Sequence, residues 1–265
     1  HVRSRRQRQM CIRDRFLYLV KKEVKVLYQQ SILGLSWAII RPVFAMLVFT
    51  IIFGGLAKMP SDGSPYALFS YTALVPWTYF STSVLRSTQS LIANASIITK
   101  VYFPRMIIPL VPVVAGLLDF FIALLVTFFL MFWFGVGLNP NIIFIPFLIL
   151  IMILSSSGIG LLFSALAVQY RDVKHAMSFM IQILMYAAPV VWPVSILVEK
   201  YSDKIYHMYS IYPMVGVIEG FRSAIIGNNP MPWTSILIGF CFSIILFLFG
   251  SFFFIKKENI FSDVV

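Results

Sequence analysis

Six long, predominantly apolar runs divide the chain, at 37–57, 66–91, 107–134, 142–168, 176–194 and 234–255. Each reaches or approaches the ~20 residues a helix needs to cross hydrocarbon. Short polar segments rich in turn residues separate them, such as KMPSDGSP at 58–65 and GVGLNPN at 135–141. A different pattern precedes the first run. Phe16, Leu17, Val20, Val24, Leu27 and Tyr28 recur at helical spacing, with Lys21, Lys22, Lys25 and Gln29 on the opposite side. That periodicity predicts an amphipathic helix over 16–30 lying in the membrane interface, or docked on protein by its apolar face. Between the fifth and sixth runs, residues 195–232 are too long for a tight turn and too apolar for a free loop. The stretch IYPMVGVIEGFRSAII at 211–226 reads as a helix that re-enters the outer leaflet without crossing. The pattern therefore predicts an all-α membrane protein. It has an N-terminal interfacial amphipathic helix, six transmembrane helices over 31–265, and re-entrant outer helices between the fifth and sixth spans.

Composition agrees and charge adds direction. The chain is 60% hydrophobic and 12% charged, too little charge to cover the surface of a soluble domain of 265 residues. With the N-terminus cytoplasmic, the inner connections carry 15 Lys and Arg and the outer ones 4. That asymmetry places both termini in the cytoplasm. The first fifteen residues, HVRSRRQRQMCIRDR, hold six Arg and resemble nothing that follows. They read as a non-native or disordered leader, to be kept out of fold reasoning. Without them the inner bias is still 9 to 4. The basic balance fits membrane lipids and an acidic cytosolic partner, not nucleic acid. Cys11 and Cys241 support no disulfide framework.

No G-x-x-x-x-G-K-[ST] phosphate loop exists, and His1, His175 and His207 show no metal-ligand spacing. No catalytic grouping or metal site is nominated. What remains are polar and aromatic residues at costly depths. Asp119 sits inside the third run, where an ionisable group should face the bundle interior or water. It reads either as a pathway or gate residue or as a structural acid paired with Arg41 or Arg86. Glu219 and Arg222 stand three apart, on one helix face, and suit an outer gate. Trp77, Tyr79 and Phe80 are interface anchors or flat surfaces on which sugar rings stack. The small-residue run at 155–160, SSSGIG, reads as close helix packing.

The order of several strings resembles a family. They are LGLSW at 33–37 with Arg41-Pro42, PWTYF at 76–80, ITKVYFPR at 98–105, YRDV at 170–173 and PMVGVIEGFR at 213–222. Together, on six spans, they resemble the permease subunit of type-2 ABC exporters of cell-surface polysaccharide, the O-antigen, capsule and teichoic acid class. The resemblance implies a homodimer in the bacterial inner membrane, served by two copies of a cytosolic ABC ATPase that hold ATP and Mg. It implies a lipid-linked glycan as cargo, passing between the two copies, and no cofactor on this chain. The connection after the second span would supply a coupling helix, with Asn94, Thr99, Lys100 and Arg105. Arg171 and Asp172 would form a second contact. Trp77, Tyr79, Phe80, Asp119, Glu219 and Arg222 would border the channel or its gate. The alternatives are an exporter of drugs or small lipids and a membrane-embedded enzyme of lipid-linked sugar metabolism. The enzyme should show paired acids at a membrane face. An ion-coupled transporter should show internal repeats, and none is apparent.

Overall fold

The computed structural model describes the backbone of residues 2–29, 34–95, 104–200 and 203–258. Among these residues there are helices and turns but no strand. Helix α1 runs Val2–Gln29, so backbone helix also extends through the arginine-rich leader. A 3₁₀ turn at Gly34–Ser36 leads into α2, Trp37–Phe49, which widens into a π-turn at Thr50–Leu56. Then follow α3 at Tyr66–Ala93, α4 at Ile107–Trp133 and α5 at Ile145–Gln169, the last entered through a 3₁₀ turn at Pro140–Phe144. Helix α6 is Val173–Ala187. Three short helices, α7 (Ser195–Lys200), α8 (Asp203–Tyr209) and α9 (Pro213–Ile225), precede α10 at Trp233–Lys257.

Among the described residues, four stretches are long and apolar enough to cross a bilayer unaided: Gly34–Leu56, Ile107–Trp133, Pro140–Gln169 and Trp233–Lys257. The second and fifth of the expected spans differ from these, each for its own reason. Helix α3 has 28 residues, ample length, but it is rich in Ser, Thr and Tyr. It packs against α2, α4, α5, α6 and α9 and is mostly buried. Protein, not lipid, surrounds α3, so its side chains need not be apolar. Helix α6 is limited first by its length. Its 15 residues reach about 22 Å, against ~30 Å of hydrocarbon. The run 176–194 suggests one helix through to Val194, whereas the helix stops at Ala187. Ala188 is extended, with φ −80° and ψ 147°, because Pro189 follows and a residue before proline avoids the helical region.

Close approach holds the bundle together. The Tyr79 and Ser87 hydroxyls of α3 donate to the Val113 and Pro109 carbonyls of α4, at 3.0 and 2.6 Å. A Cβ on Gly250 of α10 would lie 2.2 Å from the Gly158 carbonyl oxygen of α5. A Cβ on Gly158 would meet the Leu246 and Phe247 backbone at 2.6 Å. The SSSGIG run thus forms an α5–α10 backbone contact, as its small residues predict. Helix α1 packs on α4, with Phe16, Val20, Val24, Leu27 and Tyr28 half-buried and its lysines exposed.

The two ends of the bundle are tied differently. At one end Arg105 donates from its backbone N–H to Glu258 Oε1 and from its guanidinium to the Glu258 carbonyl, joining the start of α4 to the end of α10. At the other end Asp62 accepts from Ser195 Oγ and Asn229 Nδ2, both at 2.9 Å, while its carbonyl accepts from Asn228. Asn139 donates to the Ser223 carbonyl beside them.

Gly250→Ala should overpack the α5–α10 contact and destabilise the protein by about 1–3 kcal/mol. The control, Gly137→Ala, has nothing within 4 Å of the added methyl. Thermal unfolding in detergent should show a lower midpoint for the first variant only; equal midpoints would contradict the packing.

Candidate functional site

The backbone between α6 and α7 is neither helical nor wet, and it creates a local accounting problem. Ala188, Val190, Val191 and Val194 are all buried, and buried carbonyls and N–H groups without partners are costly. Side chains from three other helices supply those partners. The Tyr209 hydroxyl (α8) donates to the Ala187 carbonyl at 2.6 Å, and the Tyr66 hydroxyl (α3) to Val191 at 2.7 Å. Arg222 of α9 donates to the Val190 carbonyl at 2.9 Å and to Trp192 at 3.4 Å.

Arg222 is itself held. Its guanidinium donates to Glu219 Oε1 at 2.7 Å and lies over the Phe69 ring, 3.5 Å from the centroid. The Val194 N–H donates to Glu219 in turn. All thirteen residues of α9 are buried, so the pair sits inside the protein and not on a wet surface. Burial pushes the Glu219 carboxyl pKa up, and the neighbouring guanidinium opposes that shift. Gly216 and Gly220 let α9 approach closely: a Cβ on Gly216 would come within 2.6 Å of the Ser235 carbonyl oxygen on α10. The spacing of Glu219 and Arg222 suggests a gate, and in the structure both residues brace a broken chain.

Helix α6 carries a second feature. Lys174, Ser178, Gln182 and Tyr186 are spaced four apart and are all exposed, Tyr186 at 76%. Met177 and Ile181 are its buried residues. A polar stripe turned away from its own bundle is the wrong way round for a helix in lipid, where polar groups face protein or water. None of these four residues stands out in the sequence by a motif. Their signal was the i, i+4 recurrence of polar positions in an apolar run.

The other candidates are scattered. Trp77, Tyr79 and Phe80 are 4%, 3% and 1% exposed, enclosed within the core of this one chain. Phe80 borders an apolar cavity of about 500 Å³ shared with Tyr209 and Tyr212, and Tyr79 lines a smaller one of about 180 Å³. Asp119 forms no ion pair with Arg41 or Arg86 among the described residues; the Tyr28 hydroxyl of α1 donates to it. Asn94 closes the end of α3 through its side chain to the Ser90 carbonyl at 2.9 Å. Arg171 and Asp172 are exposed in the three-residue turn between α5 and α6. Thr99 and Lys100 lie outside the described residues.

Comparison with known proteins bears on this arrangement. Residues 14–226 match the ABC-2 type transporter family. The O-antigen export system permease protein RfbA of Klebsiella pneumoniae is 28% identical, over 95% of both chains. The protein of the same name from Myxococcus xanthus is 26% identical over 80% of each. The polysialic acid transport protein KpsM of Escherichia coli is 22% identical, over 78% of this chain and 79% of its own.

Arg222→Ala would leave Glu219 buried without its partner and two carbonyls without a donor. We expect a loss of about 3–5 kcal/mol, read as a lowered unfolding midpoint in detergent. Glu219→Gln combined with Arg222→Met should recover part of that loss by removing both charges. A midpoint unchanged in Arg222→Ala would contradict the bracing role.

Proposed function

The chain belongs to the ABC-2 type transporter family, and we propose that it is the channel-forming subunit of an exporter of lipid-linked, O-antigen-like polysaccharide. The observation that carries the reading is the polar stripe of α6. An exposed row of Lys174, Ser178, Gln182 and Tyr186 requires water or a polar partner beside it. Two copies of the chain facing each other across this stripe enclose a hydrated path. A long, flexible glycan needs such a path, with hydroxyl and amide groups to bond its sugars and an aromatic ring to stack on them. The O-antigen export permeases, alike over nearly the full length, support this choice of cargo.

In this reading six segments cross the bacterial inner membrane. Helix α3 crosses at the centre of the bundle, and α6 crosses with the extended stretch that follows it. Helices α7 to α9 re-enter from the outer side, α1 lies at the inner interface, and both termini are cytoplasmic. The Arg105–Glu258 end, with Arg171, Lys174, Lys256 and Lys257, is then the inner, basic end. The Asp62 and Asn139 end is the outer one. Two copies of a separate ATPase bind and hydrolyse ATP with Mg and push on the short inner connections, through Asn94, Thr99, Lys100 and Arg105 and through Arg171 and Asp172. Glu219 and Arg222 fix the outer closure by fixing the break that follows α6. Trp77 and Tyr79 stiffen the wall from behind, Phe80 borders the outer cavity, and Asp119 anchors α1.

Single cysteines at Ser178, Gln182 and Tyr186, with Cys11 and Cys241 replaced, should react with a membrane-impermeant thiol reagent. Cysteines at the exposed apolar positions Leu125 and Leu248 should stay protected by lipid. Equal protection at all five positions would contradict a hydrated stripe. Independently, the purified chain alone should turn over no ATP, with turnover appearing on addition of its ATPase. ATP turnover by the chain free of any ATPase would contradict the division of labour.

A further inference from the structure

Two cavities lie on the opposite side of α3 from the outer braces, and neither the bracing pair nor the α6 stripe accounts for them. The first, about 180 Å³, is enclosed by α1, α2, α3 and α4 and is lined by Arg41, Arg86, Asp119 and Tyr28. The second, about 190 Å³, lies between α1, α3 and α4 and is lined by Lys22, Glu23 and, again, Arg86. Each is large enough to hold several waters. Arg86 is their common wall.

The charges are poorly matched without a ligand. Neither Arg41 nor Arg86 forms an ion pair among the described residues. Arg41 rests over the Trp37 ring, 5.5 Å from the centroid. The two arginines line one cavity, where like charges repel, and Glu23 is the acid that lines the second cavity with Arg86. Asp119, the carboxylate of the first cavity, is already engaged by the Tyr28 hydroxyl. Three cations thus face two carboxylates, one of them occupied. Arg41 stands one turn inside the start of α2, and Arg86 seven residues from the end of α3. Both are therefore within reach of headgroup depth, where guanidinium groups can meet the phosphates of lipids.

We propose that Arg41 and Arg86 form a binding site for the phosphate groups of a lipid headgroup, and specifically for a diphosphate that joins a lipid carrier to its sugar. This rests on the export reading, which supplies a lipid-linked cargo. A guanidinium presents parallel N–H donors that match a phosphoryl group in two-point fashion. Two guanidinium groups in one cavity suit two linked phosphoryl groups, and an anion between them turns their mutual repulsion into joint attraction. Lys22, on the exposed side of α1, adds a third cation at the cytoplasmic approach. A monophosphate headgroup would satisfy one arginine and leave the other uncompensated.

The test uses the permease–ATPase complex in phosphatidylcholine nanodiscs, with bound lipid read by native mass spectrometry. Three probes are titrated: a polyprenyl diphosphate, phosphatidylglycerol and inorganic diphosphate. The polyprenyl diphosphate should bind saturably and more tightly than phosphatidylglycerol, with inorganic diphosphate competing at higher concentration. Arg41→Gln and Arg86→Gln should each weaken it about ten- to a hundred-fold, Arg→Lys should restore part of the loss, and Lys58→Gln at the far end should change nothing. Wild-type binding by an Arg41→Gln/Arg86→Gln variant with an unchanged unfolding midpoint overturns the site. Equal or tighter binding of phosphatidylglycerol overturns the diphosphate assignment in favour of bulk anionic lipid. Export assays separate the two readings. Normal polysaccharide export by the double variant sinks the site and leaves the function. Arginine-dependent diphosphate binding by a complex that exports no polysaccharide sinks the function and leaves the site.

Discussion

A helix that stops short inside a membrane protein must hand its unpaired backbone groups to something other than water. Helix α6 stops at Ala187, before Pro189, and the chain stays buried to Val194. Much of that end of the bundle follows from how the need is met. Arg222 takes two carbonyls, Tyr66 and Tyr209 one each, and Glu219 the Val194 N–H. To bring Arg222 there, α9 has to be wholly enclosed. That enclosure in turn requires Gly216 and Gly220 where α9 meets α10 and Leu148. The ion pair gains little from its charges alone, because burying both is expensive. Its value is positional, since it fixes one path for a segment that has no regular hydrogen-bonding pattern.

The bundle also sorts its polar residues in an instructive way. Helix α3 carries many hydroxyls and buries them, and several donate to α3's own carbonyls or to those of α4. Helix α6 carries fewer and exposes them in a row. The first arrangement is what lipid surroundings demand; the second makes sense only beside water or a polar partner. A transport path along α6 accounts for both the direction of the stripe and the thin packing of that helix on its own bundle. The same logic separates the cavities around Arg86, where three cations face two carboxylates, from the tightly matched Glu219–Arg222 brace.

Sequence periodicity carried the helical class, the order of the segments and the amphipathic character of α1. It did so because lipid-crossing helices are long and continuously apolar. It overran α6, since Ala176 to Val194 stays apolar past the point where Pro189 ends the helix; burial and backbone conformation are separate constraints, and hydropathy reports only the first. Glu219 and Arg222 were legible as a pair from their spacing, but the bond from Arg222 to the Val190 carbonyl spans 32 residues, a distance no local pattern reveals. Asp119 met Tyr28 rather than an arginine for the same reason. Trp77, Tyr79 and Phe80 were legible as aromatics at membrane depth, yet whether a ring faces outward depends on which side of α3 its neighbours occupy.

Paired with an ATPase, this chain should give a polysaccharide a passage through the membrane. The most direct measurement is transport in sealed inverted vesicles that contain the chain and its ATPase, supplied with radiolabelled lipid-linked polysaccharide on the outer, cytoplasm-equivalent face. Label should become protected from an added glycosidase when ATP is present and not with a non-hydrolysable analogue. Label that stays fully accessible during ATP hydrolysis by an intact complex would contradict it.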